Sequence, residues 1–428
     1  MASLIFPYAS HLITTSVTIL LLALLCCTTR TIGIQFDPIT SSTSSPPSSF
    51  VQTKNAQFVL NGAPFLFNGF NSYWMMTVAA QVDQRHKVTE VFDQARAAGL
   101  TVCRTWAFSD GTGDQALQIT PGLYSEPVFQ GLDFVISEAK KRGIRLILTL
   151  TNNYKDFGGR QQYVAWARTL GVPGVGGDDD FYTHPVLKWY YKNHIARVLT
   201  RINTITGTAY KDDPTIMAWE LINEPRCEID SSGDTITGWV QEMGSYLKLI
   251  DNKHLLAVGM EGFYGDSTPD RKQFNPGYQV GTDFITSNLL ESIDFATIHA
   301  YPDAWLAGQS RYEQMTFLQK WMSSHLTDSR TILRKPLVFA EFGLSKKATG
   351  YANVGRDLFL NAVYGTIFGS ARYGGTIGGG LVWQLLADGM ESYNDGYEIV
   401  LSQCPSTSFV IGLQSRRMSA LQHVLAGA

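Results

Sequence analysis

Short apolar runs alternate with helical patterns along most of the chain, and this alternation limits the possible folds more than any other feature. Eight runs have the length and content of buried strands: Phe67–Asn71, Thr101–Trp106, Leu146–Asn152, Ile216–Asn223, Leu255–Gly259, Phe295–Tyr301, Leu337–Phe342 and Gly380–Leu385. Helical patterns follow them: Val88–Ala98, Phe129–Arg142, Pro185–Ile202, Ile236–Ile250, Thr282–Leu290, Tyr312–Leu326, Val354–Tyr373 and Ser415–Leu425. Strands that each precede a helix predict an α/β fold, a (β/α)8 TIM barrel with loop insertions.

A doubly wound sheet is the competing architecture, but no glycine fingerprint for a dinucleotide follows the first strand. Before that strand, Gln57–Phe67 contains Asn61-Gly62 between two apolar stretches, which predicts an N-terminal β-hairpin that opens or plugs the barrel. The glycine-rich loop Gly171–Asp180 carries three aspartates but joins no predicted strand to a helix. We interpret it as a solvated insertion and not as a metal or phosphate site.

The first 33 residues contain an apolar run near the N-terminus that is separate from the alternating strand and helix patterns. Val17–Cys27 is almost wholly apolar and has the length of a secretory signal core, which is short for a membrane span of roughly 20 residues. No Lys or Arg precedes it, so an uncleaved anchor stays open as an alternative. We expect a signal peptide at 1–33, a Ser/Pro-rich segment at 34–55 and one catalytic domain at 56–428. The mature protein would then be secreted and carry no membrane segment.

The net charge of the chain argues against a nucleic-acid-binding protein. The formal charge of −3 provides no basic stripe, so nucleic acid is not an expected partner.

Removal of the signal would leave Cys103, Cys227 and Cys404, an odd number without metal-ligand spacing. Cys103 lies in an apolar run and is expected to be a buried thiol, whereas a bridge between Cys227 and Cys404 stays open.

Polar residues gather where the predicted strands end. In a barrel of this type the C-terminal ends of the strands form one face, and chemistry takes place there. Five strands contribute to it: Arg104 and Trp106 from the second, Asn223 and Glu224 from the fourth, His299 and Tyr301 from the sixth, Glu341 from the seventh and Trp383 from the eighth. One buried glutamate would more often be half of a structural ion pair, but this convergence predicts a site.

Two carboxylates that face each other across a cleft can cleave a glycosidic bond. One protonates the leaving oxygen, and the other attacks the sugar or activates water. The acid must hold its proton while the nucleophile stays ionised, and Arg104 and Tyr301 would stabilise such an anion. Pro225 predicts extended backbone at Glu224. Glu220, deeper in the same strand, is predicted to be a buried partner and not a second acid.

Aromatic residues in or beside the predicted strand-to-helix loops would contact the sugar rings. Flat C–H faces of sugars pack on aromatic rings, and polar neighbours bind the hydroxyl groups. The candidates are Trp74, Trp106, Tyr264, Trp305 and Trp383. Core filling is the alternative for each of them, and for Trp305 it is equally well supported.

Several motifs in fixed order resemble glycoside hydrolase family 5. They are RTW at 104–106, NEP at 223–225, HAY at 299–301, AEFG at 340–343 and VW at 382–383. More narrowly, GFNSYWMM at 69–76, WELINEPRC at 219–227 and LVWQLL at 381–386 are similar to plant endo-β-1,4-mannanases. The resemblance covers the whole globular part of the chain.

The resemblance implies roles for individual residues. Glu224 would be the acid/base and Glu341 the nucleophile, and Arg104 and Tyr301 would hold Glu341. Asn223 would bind the 2-hydroxyl, His299 would tune the site, and Trp383 would form the floor under the sugar being cleaved. It implies the barrel fold and no metal or cofactor. The chain departs from many members at Asn152-Asn153-Tyr154, where they carry His or Trp, and this could alter the neighbouring sugar sites.

These observations predict a secreted, monomeric, retaining endo-β-1,4-mannanase that acts on β-mannan in the cell wall. A β-1,4-glucanase of the same family is the alternative enzyme, since the catalytic set would be identical. A carbohydrate-binding barrel without turnover is the alternative outside enzymes. The presence of both Glu224 and Glu341 argues against it.

Overall fold

The computed structural model describes residues 49–348 and 351–427. The predicted signal peptide and most of the Ser/Pro-rich segment lie outside the described residues. The strands are β1 Gln52–Lys54, β2 Gln57–Leu60, β3 Ala63–Pro64, β4 Phe67–Asn71, β5 Val102–Trp106, β6 Gln118–Thr120, β7 Leu123–Tyr124, β8 Arg145–Thr149, β9 Ile216–Glu220, β10 Leu255–Ala257, β11 Ala296–Ala300, β12 Leu337–Phe342 and β13 Ile377–Val382.

The helices surround the eight barrel strands. They are α1 Met75–Ala80, α2 Arg85–Ala97, α3 Glu126–Arg142, α4 Gly159–Thr169, α5 Asp180–Thr183, α6 Pro185–Leu199, α7 Asp234–Ile250, α8 Phe284–Leu289, α9 Pro302–Trp305, α10 Arg311–Asp328, α11 Asn353–Arg372 and α12 Pro405–Ala426. All residues of the barrel strands are buried, because side chains fill the interior and helices cover the outside.

Eight parallel strands follow one another in the order β10-β9-β8-β5-β4-β13-β12-β11. Neighbours in this order are neighbours along the chain, except that β4 joins β13, so the sheet curls into a barrel and is not doubly wound. Single hydrogen bonds connect β10 and β11: Asp294 N–H donates to Leu256 O at 2.8 Å, and His299 N–H donates to Glu261 O at 2.9 Å. The predicted TIM barrel is confirmed.

The predicted hairpin closes the N-terminal end of the barrel. β2 and β3 pair across Asn61 and Gly62, whose φ angles of 53° and 82° are those of a tight type I′ hairpin turn. Phe58 of β2 packs on Phe295 with the ring centroids 5.3 Å apart, in a buried cluster that continues into the barrel interior. The hairpin therefore seals the end of the barrel opposite the strand C-termini.

The structure corrects several boundaries. β13 begins three residues before the predicted strand, and α12 begins at Pro405, ten residues before the predicted helix. α1 was not predicted, because five of its six residues are buried and it shows no apolar stripe. In the loop Gly171–Asp180, most residues are exposed as predicted, but Asp179 is buried and accepts a hydrogen bond from Arg160 at 2.7 Å.

Cys103, Cys227 and Cys404 are free thiols, so the open question of a bridge between the last two is answered in the negative. Cys103 is buried, as its apolar run predicts. Within the described part of the chain, no helix combines the length and apolar character needed to cross a membrane.

Candidate active site

A cavity of about 390 Å³ opens at the C-terminal ends of the barrel strands. Its walls bring together carboxylates, aromatic rings and amides from most of the strand ends. The lining residues are Tyr73, Trp106, Asn152, Tyr154, Asp156, Phe157, Asn223, Glu224, Arg226, Glu261, Tyr301, Trp305, Glu341, Trp383, Asp395 and Tyr397. Seven of the residues predicted from the sequence are among them, and Arg104 and His299 lie directly behind the carboxylates.

Glu224 follows β9 and reaches the cavity from an unusual backbone conformation. Its φ is 49°, in the left-handed region, so the extended backbone predicted from Pro225 is wrong. The Glu224 N–H donates to Gly259 O at 2.8 Å, and this bond holds the chain in that bend. The carboxyl group contacts His299 Nδ1 at 2.6 Å. Uncommon backbone conformations of this kind concentrate at functional sites.

Glu341 lies within β12 and is held by two donors. Arg104 Nη1 donates to its Oε1 at 2.5 Å, and the Tyr301 hydroxyl donates to its Oε2 at 2.6 Å. His299 Nδ1 lies 3.7 Å from the same Oε2. Hydrogen bonds to a carboxylate from a guanidinium and a phenol favour its ionised form.

Arg104 organises the layer beneath the cavity. Its Nη2 donates to Glu220 Oε1 at 2.6 Å and to Asn223 Oδ1 at 2.7 Å. Burial opposes the charge of Arg104, but Glu220 and Glu341 raise the pKa of the guanidinium, which therefore stays charged. Glu220 is fully buried and also accepts from Thr149, so it is the structural partner that the sequence predicted.

The two catalytic candidates lie close together. One oxygen each of Glu224 and Glu341 and a ring nitrogen of His299 all lie within 4.8 Å of one another. Carboxyl groups about 5–5.5 Å apart are typical of retaining glycosidases, whereas about 6.5–9.5 Å is needed to fit water in inverting ones. The positive charge of Arg104, which already lies against Glu341, disfavours a cation in this cluster.

Burial raises the pKa of both glutamates, and the charge of Glu224 raises the pKa of Glu341 further. Two buried carboxylates this close cannot both ionise freely, so the pair holds one proton. His299 in its charged form, Arg104 and the Tyr301 hydroxyl lower the pKa of Glu341. We therefore place the anion on Glu341 and the proton on Glu224. Burial lowers the pKa of His299, so its ring is neutral near pH 7.

Glu261 and Arg226 were not predicted. Arg226 donates to both oxygens of Glu261, at 2.7 and 2.9 Å, in the cavity wall. Burial and the nearby Glu224 raise the pKa of Glu261 to about 7. The signal was present in the sequence, since Glu261 interrupts an apolar run shortly after β10 as Glu224 does after β9.

Three aromatic rings form one wall of the cavity. Tyr73 stacks on Trp383 with centroids 5.6 Å apart and an interplanar angle of 14°. Trp106 lies 6.2 Å from Trp383. Trp305 lines another part of the cavity, but its ring also packs on Phe263 with the ring centroids 5.4 Å apart. It therefore both faces the cavity and fills the core.

Two predicted sugar-binding residues do not reach the cavity. Trp74 is fully buried, because its indole Nε1 points back to Leu385 O at 3.1 Å, and its neighbour Tyr73 faces the cavity instead. Tyr264 is also fully buried, and its hydroxyl donates to Asp328 at 2.8 Å on the far side of the wall. The structure thus corrects both predictions.

Comparison with known proteins agrees with the geometry. Residues 48–392 match the family described as GH family 5 beta-mannosidase-like. The chain is 63% identical over 376 residues, 88% of its own length and 90% of the other's, to mannan endo-1,4-beta-mannosidase 5 of Solanum lycopersicum. It is 54% identical, over 89% of this chain and 88% of the other, to mannan endo-1,4-beta-mannosidase 1 of Oryza sativa subsp. japonica.

Among solved structures, the endo-1,4-beta-mannanase from Rhizomucor miehei superimposes with a TM-score of 0.73 at 32% identity. The match covers 87% of this chain and 100% of that one. Sequence, fold and the paired carboxylates at the barrel mouth therefore agree, and the chain belongs to glycoside hydrolase family 5, in its beta-mannosidase-like group.

Proposed function

We propose that this protein is a retaining endo-β-1,4-mannanase that hydrolyses internal bonds of mannans, glucomannans and galactomannans. The observation that carries the proposal is the close pair of Glu224 and Glu341, in which Arg104 and Tyr301 stabilise the anion on Glu341. The named activity of the similar plant proteins supports mannan as the substrate.

The reaction would proceed by double displacement. In the first step a Glu341 oxygen attacks the anomeric carbon while Glu224 gives its proton to the departing glycosidic oxygen. In the second step Glu224 takes a proton from water, the water oxygen attacks the same carbon, and the bond to Glu341 breaks. The neutral His299 ring, 2.6 Å from Glu224, orients its carboxyl group through both steps.

The remaining cavity residues would bind the sugar. Asn223 accepts from Arg104 through Oδ1 and donates one amide hydrogen to Asn152 Oδ1 at 3.1 Å, so its second amide hydrogen would donate to the 2-hydroxyl. Trp383 would form the floor beneath the sugar being cleaved. Trp106 and Trp305 would extend the contact along the chain of sugars.

We also propose that the protein reaches the cell wall as a monomer without a membrane segment, after cleavage of residues 1–33. Residues 34–55 would precede the catalytic domain at 56–428. Expression of the full chain in a secreting host tests this, with N-terminal sequencing and size-exclusion chromatography of the secreted product. A secreted N-terminus near residue 34 and a monomer mass are expected; retention in membranes would support an anchor.

The activity is tested by mass spectrometry of the products from mannan and, in parallel, from a soluble cellulose. Short oligosaccharides from mannan alone are expected, whereas cleavage of the cellulose alone would indicate a β-1,4-glucanase. Glu341→Gln should abolish turnover but retain binding in calorimetry, and Glu291→Gln, an exposed glutamate outside the cavity, is the matched control. Binding of mannan by the unaltered protein without cleavage would indicate a binding protein and refute the proposal.

A covalent intermediate predicts transglycosylation as a side reaction. A sugar hydroxyl can replace water in the second step and give a product longer than the starting oligosaccharide. Mannotetraose at high concentration should therefore produce longer oligomers early in the reaction. Their absence at every concentration would argue against a long-lived intermediate.

A further inference from the structure

A hydrogen bond fixes the ring that we propose as the floor of the site. The indole Nε1 of Trp383 donates at 2.7 Å to Oδ2 of Asp395, a residue 12 positions further along the chain. Nε1 is the only conventional hydrogen-bonding group of a tryptophan side chain. A bond at this one atom therefore sets the rotation of the ring, while the rest of the indole contacts the cavity and Tyr73.

Asp395 is itself held firmly. Its Oδ2 also accepts from Gln384 Nε2 at 2.8 Å, and its Oδ1 accepts from the Tyr397 N–H at 2.8 Å. Both oxygens are therefore engaged, and the carboxylate cannot follow the Trp383 ring if the ring turns.

The turn that carries Asp395 is anchored to the barrel. Gly396 has a φ of 107°, and a side chain there would lie 2.5 Å from Ser345 Oγ, so the turn requires glycine. The Gly396 carbonyl accepts from the Lys346 N–H at 2.6 Å. Asp395 is therefore presented to Trp383 by a rigid segment, although it belongs to a loop and not to a barrel strand.

The same turn also reaches the nucleophile side of the cavity. The Tyr397 ring packs edge-on against Tyr301 with centroids 5.0 Å apart, and Tyr301 donates to Glu341. Asp395 therefore lies between Trp383, which we propose as the floor of the site, and Tyr301, which donates to Glu341.

We propose that Asp395 is a positioning residue that fixes the plane of Trp383 in the cavity and through it the sugar at the cleavage point. This inference depends on the proposed glycosidase function. A displacement of about 1 Å at a reacting centre can cost on the order of 100-fold in rate. Asp395→Ala should therefore lower kcat on mannan by about 10- to 100-fold and change KM less.

Two further variants separate positioning from loss of structure. Asp388→Ala removes an exposed aspartate of the same loop, which among the described residues bonds Gly389 and Gln403, and it should retain activity. Asp395→Asn has one acceptor oxygen left, so it can keep either the Trp383 bond or the Tyr397 bond. It should recover part of the activity lost in Asp395→Ala.

A double-mutant cycle provides the decisive kinetic test. Trp383→Phe removes the Nε1 donor but keeps an aromatic ring. If Asp395 acts through this donor, the double variant Asp395→Ala/Trp383→Phe should be no slower than Trp383→Phe alone. Losses in kcat that simply multiply, or an Asp395→Ala kcat within about twofold of the unaltered enzyme, would overturn the proposal.

A spectroscopic measurement tests the contact without turnover. In ¹⁵N-tryptophan-labelled protein, the Trp383 indole N–H signal is identified by its absence in Trp383→Phe. It should shift strongly in Asp395→Ala and stay in place in Asp388→Ala. An unmoved signal would refute the positioning role, whereas an inactive unaltered protein with a shifted signal would refute only the proposed function.

Discussion

The Tyr301 hydroxyl is expected to set the lower pH limit of activity. It donates to Glu341 Oε2 at 2.6 Å, and this bond stabilises the ionised form of Glu341. Tyr301→Phe removes the donor and leaves the ring against Tyr397. Hydrogen bonds to charged groups contribute about 1.5–3 kcal/mol. Since about 1.4 kcal/mol corresponds to one pKa unit, the pKa of Glu341 should rise by about one to two units.

The sign of the change follows from the role of Glu341. The nucleophile must be ionised, so a higher pKa moves the acid limb of the kcat/KM profile to higher pH. The basic limb, which reports the proton on Glu224, should move much less. The assay is the initial rate on a soluble mannan across the pH range, with thermal unfolding measured in parallel.

The chain offers a matched control for this variant. Tyr210 donates to Asp133 at the same distance, 2.6 Å, and Asp133 is also paired with an arginine, Arg201. Tyr210→Phe thus removes an equivalent bond outside the cavity and should cost stability without moving either limb. An acid limb that stays in place in Tyr301→Phe, or that moves to lower pH, would refute the reasoning.

Three further changes test other parts of the structure. Glu261→Gln removes a negative charge near Glu224 and frees Arg226 to stabilise the ionised form of Glu224. The pKa of Glu224 should therefore fall, and the basic limb of the kcat/KM profile should move to lower pH; a move to higher pH would contradict this. Burial raises the pKa of Asp110 well above its usual value, so its contribution to stability is full below about pH 4 and declines as pH rises through its folded-state pKa. Asp110→Asn should flatten the fall of Tm that begins above about pH 4 in calorimetry, and parallel curves would contradict this. Tyr264→Phe should lower the free energy of unfolding by about 1–3 kcal/mol in denaturant titration and leave KM unchanged, because the Tyr264 hydroxyl bonds the buried Asp328 behind the cavity wall. A raised KM would indicate that Tyr264 contacts the sugar after all.

The barrel could be predicted because each strand is a short apolar run that ends in polar residues. Glu224 and Glu341 share this local signature, and so does Glu261, which the same reasoning could have found. Asp395 could not be found in this way. It lies in a loop, and a bond to a residue 12 positions earlier brings it to the site.

The errors at Trp74 and Tyr264 have a common physical cause. Position beside a strand end predicts nearness to the cavity but not the direction of the side chain. Tyr73 and Trp74 are adjacent, yet one faces the cavity and the other turns back to Leu385. That direction is decided by the hydrogen bond to Leu385, which lies just after β13 and 311 positions further along the chain.

Fewer backbone hydrogen bonds join β10 to β11 than join the other neighbouring strands of the barrel. β9, which leads to Glu224, and β12, which carries Glu341, each pair with both neighbouring strands, whereas single bonds close the barrel beside His299 and Glu261. Local opening begins where the fewest backbone hydrogen bonds must break. Opening there would remove His299 from Glu224 and Tyr301 from Glu341 together, because His299 lies in β11 and Tyr301 directly follows it. A heat-stressed protein would therefore lose activity on every substrate while the strands that lead to the two carboxyl groups are still paired.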